Sequence, residues 1–271
     1  MKISVIVPTY KTQSYIEDLL RSLSKQTIDK DFFETIIVLN GPKEPFNTFL
    51  NGVIKEYSSK VNIRLIYSEK AGVSNARNLG IESSTGEYIT FIDDDDYVSD
   101  NYLKALLDCA LLNKCMPLSN LMAFNDGEKE FYTTYHTRCY TRNSGLEVKS
   151  IYQVREFFLT PCCKLLTKEQ ISNIRFNPEF KNSEDALFMF TISKNLNKIS
   201  FADQTAIYYR RVRPTSANFR PRTKSDIIKN EAAVLKQMLR VWSHEPFKYN
   251  FFYTVSKVLA FGKQVVSTLF R

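Results

Sequence analysis

Residues 87 to 96, EYITFIDDDD, constrain this chain more than any other stretch. Glu87 to Ile92 is rich in β-branched and aromatic residues and follows Thr85-Gly86, which predicts a buried strand. That strand empties into four consecutive carboxylates, Asp93, Asp94, Asp95 and Asp96. Folding alone has no use for four adjacent acids there, because each raises its neighbours' pKa values unless a cation sits among them. If strand geometry persists, Asp93 and Asp95 point the same way. Two oxygen ligands on one side suit Mg²⁺ or Mn²⁺, which completes its shell with water and substrate phosphates. The bland alternative is an acidic, solvated turn capping a helix that starts near Ser99.

The residues upstream predict what that strand packs into. KISVIV, residues 2 to 7, is a short apolar run of the kind seen in buried parallel strands, and Pro8 ends it. Ile16, Leu19, Leu20 and Leu23 recur at helical spacing. Residues 35 to 39, TIIVL, give a second strand stopped by Asn40-Gly41-Pro42. A helix over 46 to 57, a third strand over 62 to 67 and a helix over the GVSNARNLGI segment follow. Alternation of strand and helix implies a doubly wound, mostly parallel sheet. Ligands bind such sheets beyond the carboxyl ends of the strands. Those ends carry Pro8-Thr9-Tyr10, Asn40-Gly41, Ser68 to Lys70 and the Asp run, so one nucleotide site is expected.

Downstream, 101 to 112 reads as a helix, and 117–124 with 129–136 as two strands around Asn125-Asp126-Gly127. His136 is a candidate ligand or base, although a lone His in a β-rich run is usually structural. Residues 137 to 150 read as a loop and 152 to 159 as a helix. In Ser183-Glu184-Asp185, Ser183 is a good N-cap and the acids suit the first helical turn. About 100° apart on a helix, only one of the two acids is expected to face a site. Residues 205 to 216 predict a final strand running into a basic turn, with Arg210, Arg211 and Arg213 close together beside Ser216. Guanidinium groups there suit a diphosphate.

The 271 residues, 44% hydrophobic and 24% charged, make an ordinary globular chain. No run is apolar and long enough for a membrane span, and Met1 leads straight into a strand, so a cytoplasmic protein is expected. Five cysteines without CxxC spacing argue against a zinc site or a disulfide framework. Residues 220 to 271 hold ten Lys and Arg against three acids, nearly the whole net charge of +8. Two apolar stripes in that segment predict basic amphipathic helices. They could lie on an anionic membrane, pack on the rest of the chain or join another subunit as a homo-oligomer. Excess charge confined to one tail argues against nucleic-acid binding.

SVIVPTY, GVSNARNLGI, GEYITFIDDDDYV and SEDALF, in that order over roughly residues 1 to 216, resemble family 2 glycosyltransferases of the GT-A fold. The resemblance implies a catalytic domain over 1–219, with a nucleotide-sugar half (1–98) and an acceptor half (99–219), followed by the tail at 220–271. It implies inverting transfer of a sugar from a nucleotide-sugar, with a UDP-sugar favoured, to a saccharide or lipid-linked saccharide of a bacterial capsule, O-antigen or lipooligosaccharide. Pro8, Thr9, Tyr10, Asn40 and Ser74 match donor-binding positions. Many relatives carry Asp where this chain has Asn40. Asp93 and Asp95 match the DxD motif, Asp95 as metal ligand and Asp93 nearer the ribose, with Asp94 between them on the donor. Arg77 is placed either on the diphosphate or ribose, or in an ion pair with the Asp run. Arg211 and Arg213 fall on the donor phosphates, Lys164 and Glu184 on the acceptor, and Asp185 is the implied general base. Two rivals remain: a nucleotidyltransferase, which usually needs a Gly-rich basic loop, and a non-catalytic nucleotide-sugar-binding module.

Overall fold

A computed structural model of the protein describes residues 2–12, 14–214 and 223–270. The apolar run at the N-terminus forms β1 (Ile3–Thr9), buried along its whole length, and α1 (Tyr15–Leu23) follows. β2 (Phe33–Asn40), α2 (Phe46–Tyr57), β3 (Ile63–Ser68), α3 (Val73–Ser83) and β4 (Tyr88–Phe91) continue the predicted alternation. The sheet order is β3-β2-β1-β4, all parallel, with β9 (Leu166–Thr167) added antiparallel beside β4. Each strand except β9 therefore ends at the same edge, which is where a doubly wound sheet presents its ligand crevice.

A second sheet carries the other side of that crevice. It runs β5 (Tyr97–Val98), β11 (Ile207–Val212), β7 (Asn120–Asn125) and β8 (Phe131–Thr133). Between them in the chain lie α4 (Tyr102–Asn113), β6 (Met116–Leu118), α5 (Tyr135–Asn143) and a 3-10 segment, Ile151–Leu159. α6 (Lys168–Ile171), α7 (Glu184–Ile192) and β10 (Ile199–Phe201) complete the middle of the chain, and β10 pairs with β6.

Two expectations fail here. The second hairpin strand is only three residues long, and His136 lies in a helix instead of a strand. Thr134 accepts hydrogen bonds from the backbone N–H groups of His136 and Thr137, while the Thr137 hydroxyl accepts one from the Thr134 backbone N–H. This reciprocal cap starts α5 inside the stretch whose β-branched and aromatic content reads as strand, and the predicted loop over 137–150 is half helix. The expected end of the last strand at Ser216 lies outside the described residues.

The tail forms α8 (Lys224–His244) and α9 (Phe251–Leu269), which pack on each other, α8 against α7 and α9 against the 151–159 segment. Tyr249 stacks on Phe190 and Tyr253 meets Phe158 edge-on. Of the three fates left open for the tail, packing on the chain itself is observed. No helix among the described residues is long and apolar enough to cross a membrane.

Candidate active site

The strand ends are tied together by Asn40. Its side-chain amide donates to the Thr9 carbonyl (2.7 Å) and accepts from the Gly72 backbone N–H (2.9 Å), so β1, β2 and the loop into α3 meet at one buried residue. An amide committed at both ends serves as a clamp, which changes the base-reading role expected of it. Next to it the Tyr10 ring covers Gly41, whose φ of +90° and lack of a side chain both matter: a Cβ there would lie 2.5 Å from the ring. Tyr10 is about half exposed and faces solvent as a flat platform, whereas Pro8 is buried within β1.

The Asp run does not continue as a strand. The ladder lasts one residue beyond β4, with Ile92 N–H donating to the Ile6 carbonyl, and the chain then turns as Asp96 N–H donates to the Asp93 carbonyl (3.1 Å). Asp93 and Asp95 therefore do not share a face through strand alternation. Each acid takes its own partner. Asp93 pairs with Arg77 (3.1 Å), Asp94 accepts from the Thr9 hydroxyl, and Asp95 pairs with Arg213 (2.5 Å). Asp96 is buried and accepts from the Tyr208 hydroxyl (2.6 Å) and the Arg211 N–H (2.7 Å), locking the turn onto β11.

Burial, with the neighbouring acids acting the same way, raises the Asp94 carboxyl to about 7 and lifts Asp95 and Asp96 above the carboxylate range. The turn is thus a set of hard oxygen donors short of positive charge, the chemistry that a divalent cation relieves. Among the described residues no three His, Cys, Asp or Glu side chains converge to hold an ion alone. Asp95 and Asp93 therefore fit a metal only as part of a shell that substrate phosphates and water complete.

Arg77 joins this turn to the second acidic motif. Its guanidinium, 4% exposed, donates to Asp185 Oδ1 (2.5 Å) and Asp93 Oδ1 (3.1 Å) and lies 3.7 Å from Glu184. Of its two expected roles the structure has the ion pair. The arginine lies over the Phe176 ring, which stacks on Phe188 (3.7 Å between centroids) and meets Phe91 edge-on. Asn78, one residue along α3, exchanges two 2.8 Å hydrogen bonds with the Phe176 backbone. β4, α3 and α7 are in this way fixed to one another beneath the acids. Ser74 is buried and directed at the Asn177 carbonyl (3.5 Å), away from the expected donor site.

α7 begins differently from expectation. Ser183 sits at φ 62° and its side chain caps nothing. Both Glu184 and Asp185 face the cleft, because Arg77 lies between them, so the rule that only one could do so fails. Burial raises the Asp185 carboxyl to about 7 against the opposing pull of Arg77. Asp185 Oδ2 takes no hydrogen bond from a described residue, which leaves one oxygen for a ligand.

Two further residues leave their expected places. Lys164 is fully buried, and its ammonium donates to the carbonyls of Thr160 (2.6 Å) and Cys162 (2.5 Å); it braces a loop and touches no open space. The arginine cluster is split by strand alternation. Arg211 is held by Asp18 (2.7 Å), Asp126 (2.9 Å) and the Asp95 carbonyl (2.9 Å), between the Tyr15 and Phe124 rings, and so is not free for phosphate. Arg210 points the opposite way, with Tyr208, into the cleft. Arg213 alone of the three lies beside Asp94 and Tyr10 at the end of β1.

The cleft has a volume of about 430 Å³ and runs from Asp93 past Glu184 and Asp185 to α8 and α9. A smaller hollow on the far side of the Asp turn, about 40 Å³, is lined by Tyr10, Lys11, Thr12, Tyr15, Asp94 and Arg213. The acids stand between this hollow and the wider cleft. Glu231, Lys257 and Gln264 of the tail line that cleft and were not expected there; their signal is polar residues set inside otherwise apolar helical stripes.

Comparison with known proteins identifies the family. The chain is 29% identical over 222 residues to the poly(ribitol-phosphate) beta-N-acetylglucosaminyltransferase TarS of Staphylococcus aureus, covering 77% of this chain and 35% of that protein. It is 27% identical over 210 residues to the minor teichoic acid biosynthesis protein GgaB of Bacillus subtilis, covering 76% and 23%. The chain thus spans about a third of the length of such relatives or less. The crystal structure of S. aureus TarS 1–349 in complex with UDP superposes with a TM-score of 0.68 at 26% identity, over 88% of this chain and 66% of that one. A mannosyltransferase from Pyrobaculum calidifontis, solved with GDP-Man and Mn²⁺, shares the fold at 14% identity and a TM-score of 0.63, over 99% of this chain and 73% of that one. The family model for glycosyl transferase family 2 matches residues 4–175, from β1 through the Asp turn and β9 to just past α6. The chain belongs to glycosyl transferase family 2.

Proposed function

We propose that this chain transfers a sugar from a UDP-sugar to a hydroxyl of a saccharide or lipid-linked saccharide, with inversion at the anomeric carbon. One observation carries the reading: Arg77 holds Asp93 and Asp185 on the two sides of one guanidinium, so the donor edge and an acid facing the open cleft are fixed relative to each other. The likeness to TarS, solved in complex with UDP, supports a uridine nucleotide.

In this reading Tyr10 stacks on the base over Gly41, Thr9 and Asp94 border the nucleoside, and Asp93 faces the ribose. Arg213 turns from Asp95 to the diphosphate oxygens as the donor enters. Mn²⁺ or Mg²⁺, held by Asp95 and Asp93 with the diphosphate and water, would offset the charge on the leaving nucleotide. Asp185 Oδ2 accepts the acceptor hydroxyl's proton while Arg77 fixes Oδ1, so the carboxylate cannot rotate away. Glu184, beside it, orders the acceptor. Inversion follows from attack across the sugar from the leaving diphosphate.

Association with an anionic membrane surface belongs to the same proposal. One side of α9 packs inward through Tyr253, Lys257 and Phe261, and the opposite side leaves Phe251, Phe252, Leu259, Val266 and Leu269 exposed. A helix apolar on both sides and lying in a basic segment suits a lipid surface.

The test is turnover of UDP-sugars, UDP-GlcNAc among them, with Mn²⁺ and after chelation. Release of UDP that needs the metal is expected. Tight UDP binding indifferent to chelator would contradict the role given to the Asp turn.

A further inference from the structure

One side chain of the second sheet reaches the Asp turn and closes it. Tyr208, on β11, is 1% exposed, and its ring meets Tyr102 edge-on (6.3 Å between centroids). Its hydroxyl accepts from the Asp93 backbone N–H (3.1 Å) and donates to Asp96 Oδ2 (2.6 Å). The same two residues also meet within the turn, where the Asp96 N–H donates to the Asp93 carbonyl (3.1 Å). The first and fourth acids are thus linked twice, once through the backbone and once through the phenol.

The link falls where the strand no longer helps. The ladder of β4 stops at the Ile92 N–H bond to the Ile6 carbonyl, so the Asp93 N–H goes to the phenol instead of to a strand. Asp96 faces the protein and spends one carboxylate oxygen on Tyr208 and the other on the Arg211 N–H (2.7 Å). Asp93, by contrast, keeps 41% of its side chain exposed. With two soft dihedrals per residue, the acids in the middle of a turn go where its ends are held. A phenylalanine would fill the same space against Tyr102, so what the hydroxyl adds is the link itself.

We propose that Tyr208 is a positioning residue for the donor: its hydroxyl sets the spacing of Asp93 and Asp95, and with it the affinity for a nucleoside diphosphate taken up together with a divalent cation. The assignment rests on the reading of the Asp turn as the place of that cation. Carboxylates that bind a metal do so at fixed geometry, and groups behind them tune the affinity without touching metal or nucleotide. A turn released from Tyr208 keeps all four acids but not their spacing. The metal-dependent part of nucleotide binding then weakens, and the part that rests on Tyr10 and Thr9 at the end of β1 does not.

The experiment is a calorimetric titration of the full chain with UDP, once in Mn²⁺ and once in EDTA. Tyr208→Phe should weaken UDP in Mn²⁺ about tenfold, the worth of a buried group left without its partner, and leave the weaker binding in EDTA unchanged. Asp96→Asn alters the other end of the same bond and should give the same selective loss. The double variant should lose little beyond either single one, because both substitutions break one link. Wild-type affinity of Tyr208→Phe in Mn²⁺ would overturn the assignment. So would an equal loss in both buffers, the mark of a fold loosened in general, or losses that simply add in the double variant. Wild-type protein that binds UDP equally in Mn²⁺ and EDTA would instead overturn the metal reading of the Asp turn, and this assignment with it.

Discussion

At the scale of single residues, the site turns on Arg77. Removing one partner of a buried charge network leaves the others uncompensated, at a cost of about 3–5 kcal/mol. Asp93 keeps 41% of its side chain exposed and is screened, so the low end, about 3 kcal/mol, is expected for Arg77→Gln. Urea denaturation checks it, and an unchanged midpoint would mean that the guanidinium does not hold the acids together. Asp185 makes a second prediction. A base works only when deprotonated, and burial raises this carboxyl to about 7, so turnover at saturating donor should climb with pH through that value and level off above it. A profile that falls over the same range would place the proton transfer on another group. The type of residue at each position was legible in the sequence: four acids ending a strand, then Glu184-Asp185 at a helix start. Their partners were not. Asp93 and Asp95 were expected to share a face because a strand was extended through them, but the Asp96 N–H to Asp93 carbonyl bond makes a turn and sends the four acids to four partners. Lys164 and Arg211 look like phosphate ligands in a sequence, where charge is visible and the carbonyls and carboxylates that consume it are not.

At the scale of elements, the first four strands and their helices were legible because β1 and β2 are buried on both faces and read as unbroken apolar runs. α5 was missed for a local reason: a Thr134–Thr137 cap overrides a stretch whose composition favours strand. α9 was legible as an amphipathic helix, but its second apolar face is visible only after the first is seen to pack inward. That exposed face carries the membrane prediction. Replacing Phe251, Phe252 and Leu259 by Ser should reduce sedimentation with phosphatidylglycerol vesicles several-fold and leave the packed side, Tyr253, Lys257 and Phe261, unaltered. Sedimentation unchanged by the triple substitution would assign the face to another surface.

At the scale of the molecule, the sheet edge, the second sheet and the tail helices surround two hollows that border the same Asp turn. The smaller hollow is built from the end of β1 and the turn after β4, and the wider cleft from α7, β11 and the two tail helices, with the acids between. Treating residues 220–271 as an appendage hid the part that Glu231, Lys257 and Gln264 play, since no motif within the tail points back to the Asp turn. The central claim is that the two sides of Arg77 perform separate work, donor binding on one and proton removal on the other. Turnover of UDP-GlcNAc, or of whichever UDP-sugar proves active, by Asp185→Asn at saturating donor tests it most directly. The substitution is nearly isosteric and lies away from the donor hollow, so UDP affinity should stay at the wild-type value while the rate falls by about 10²–10⁴-fold. A rate close to wild type would contradict the account and leave Asp185 as a helix-terminal partner of Arg77 alone.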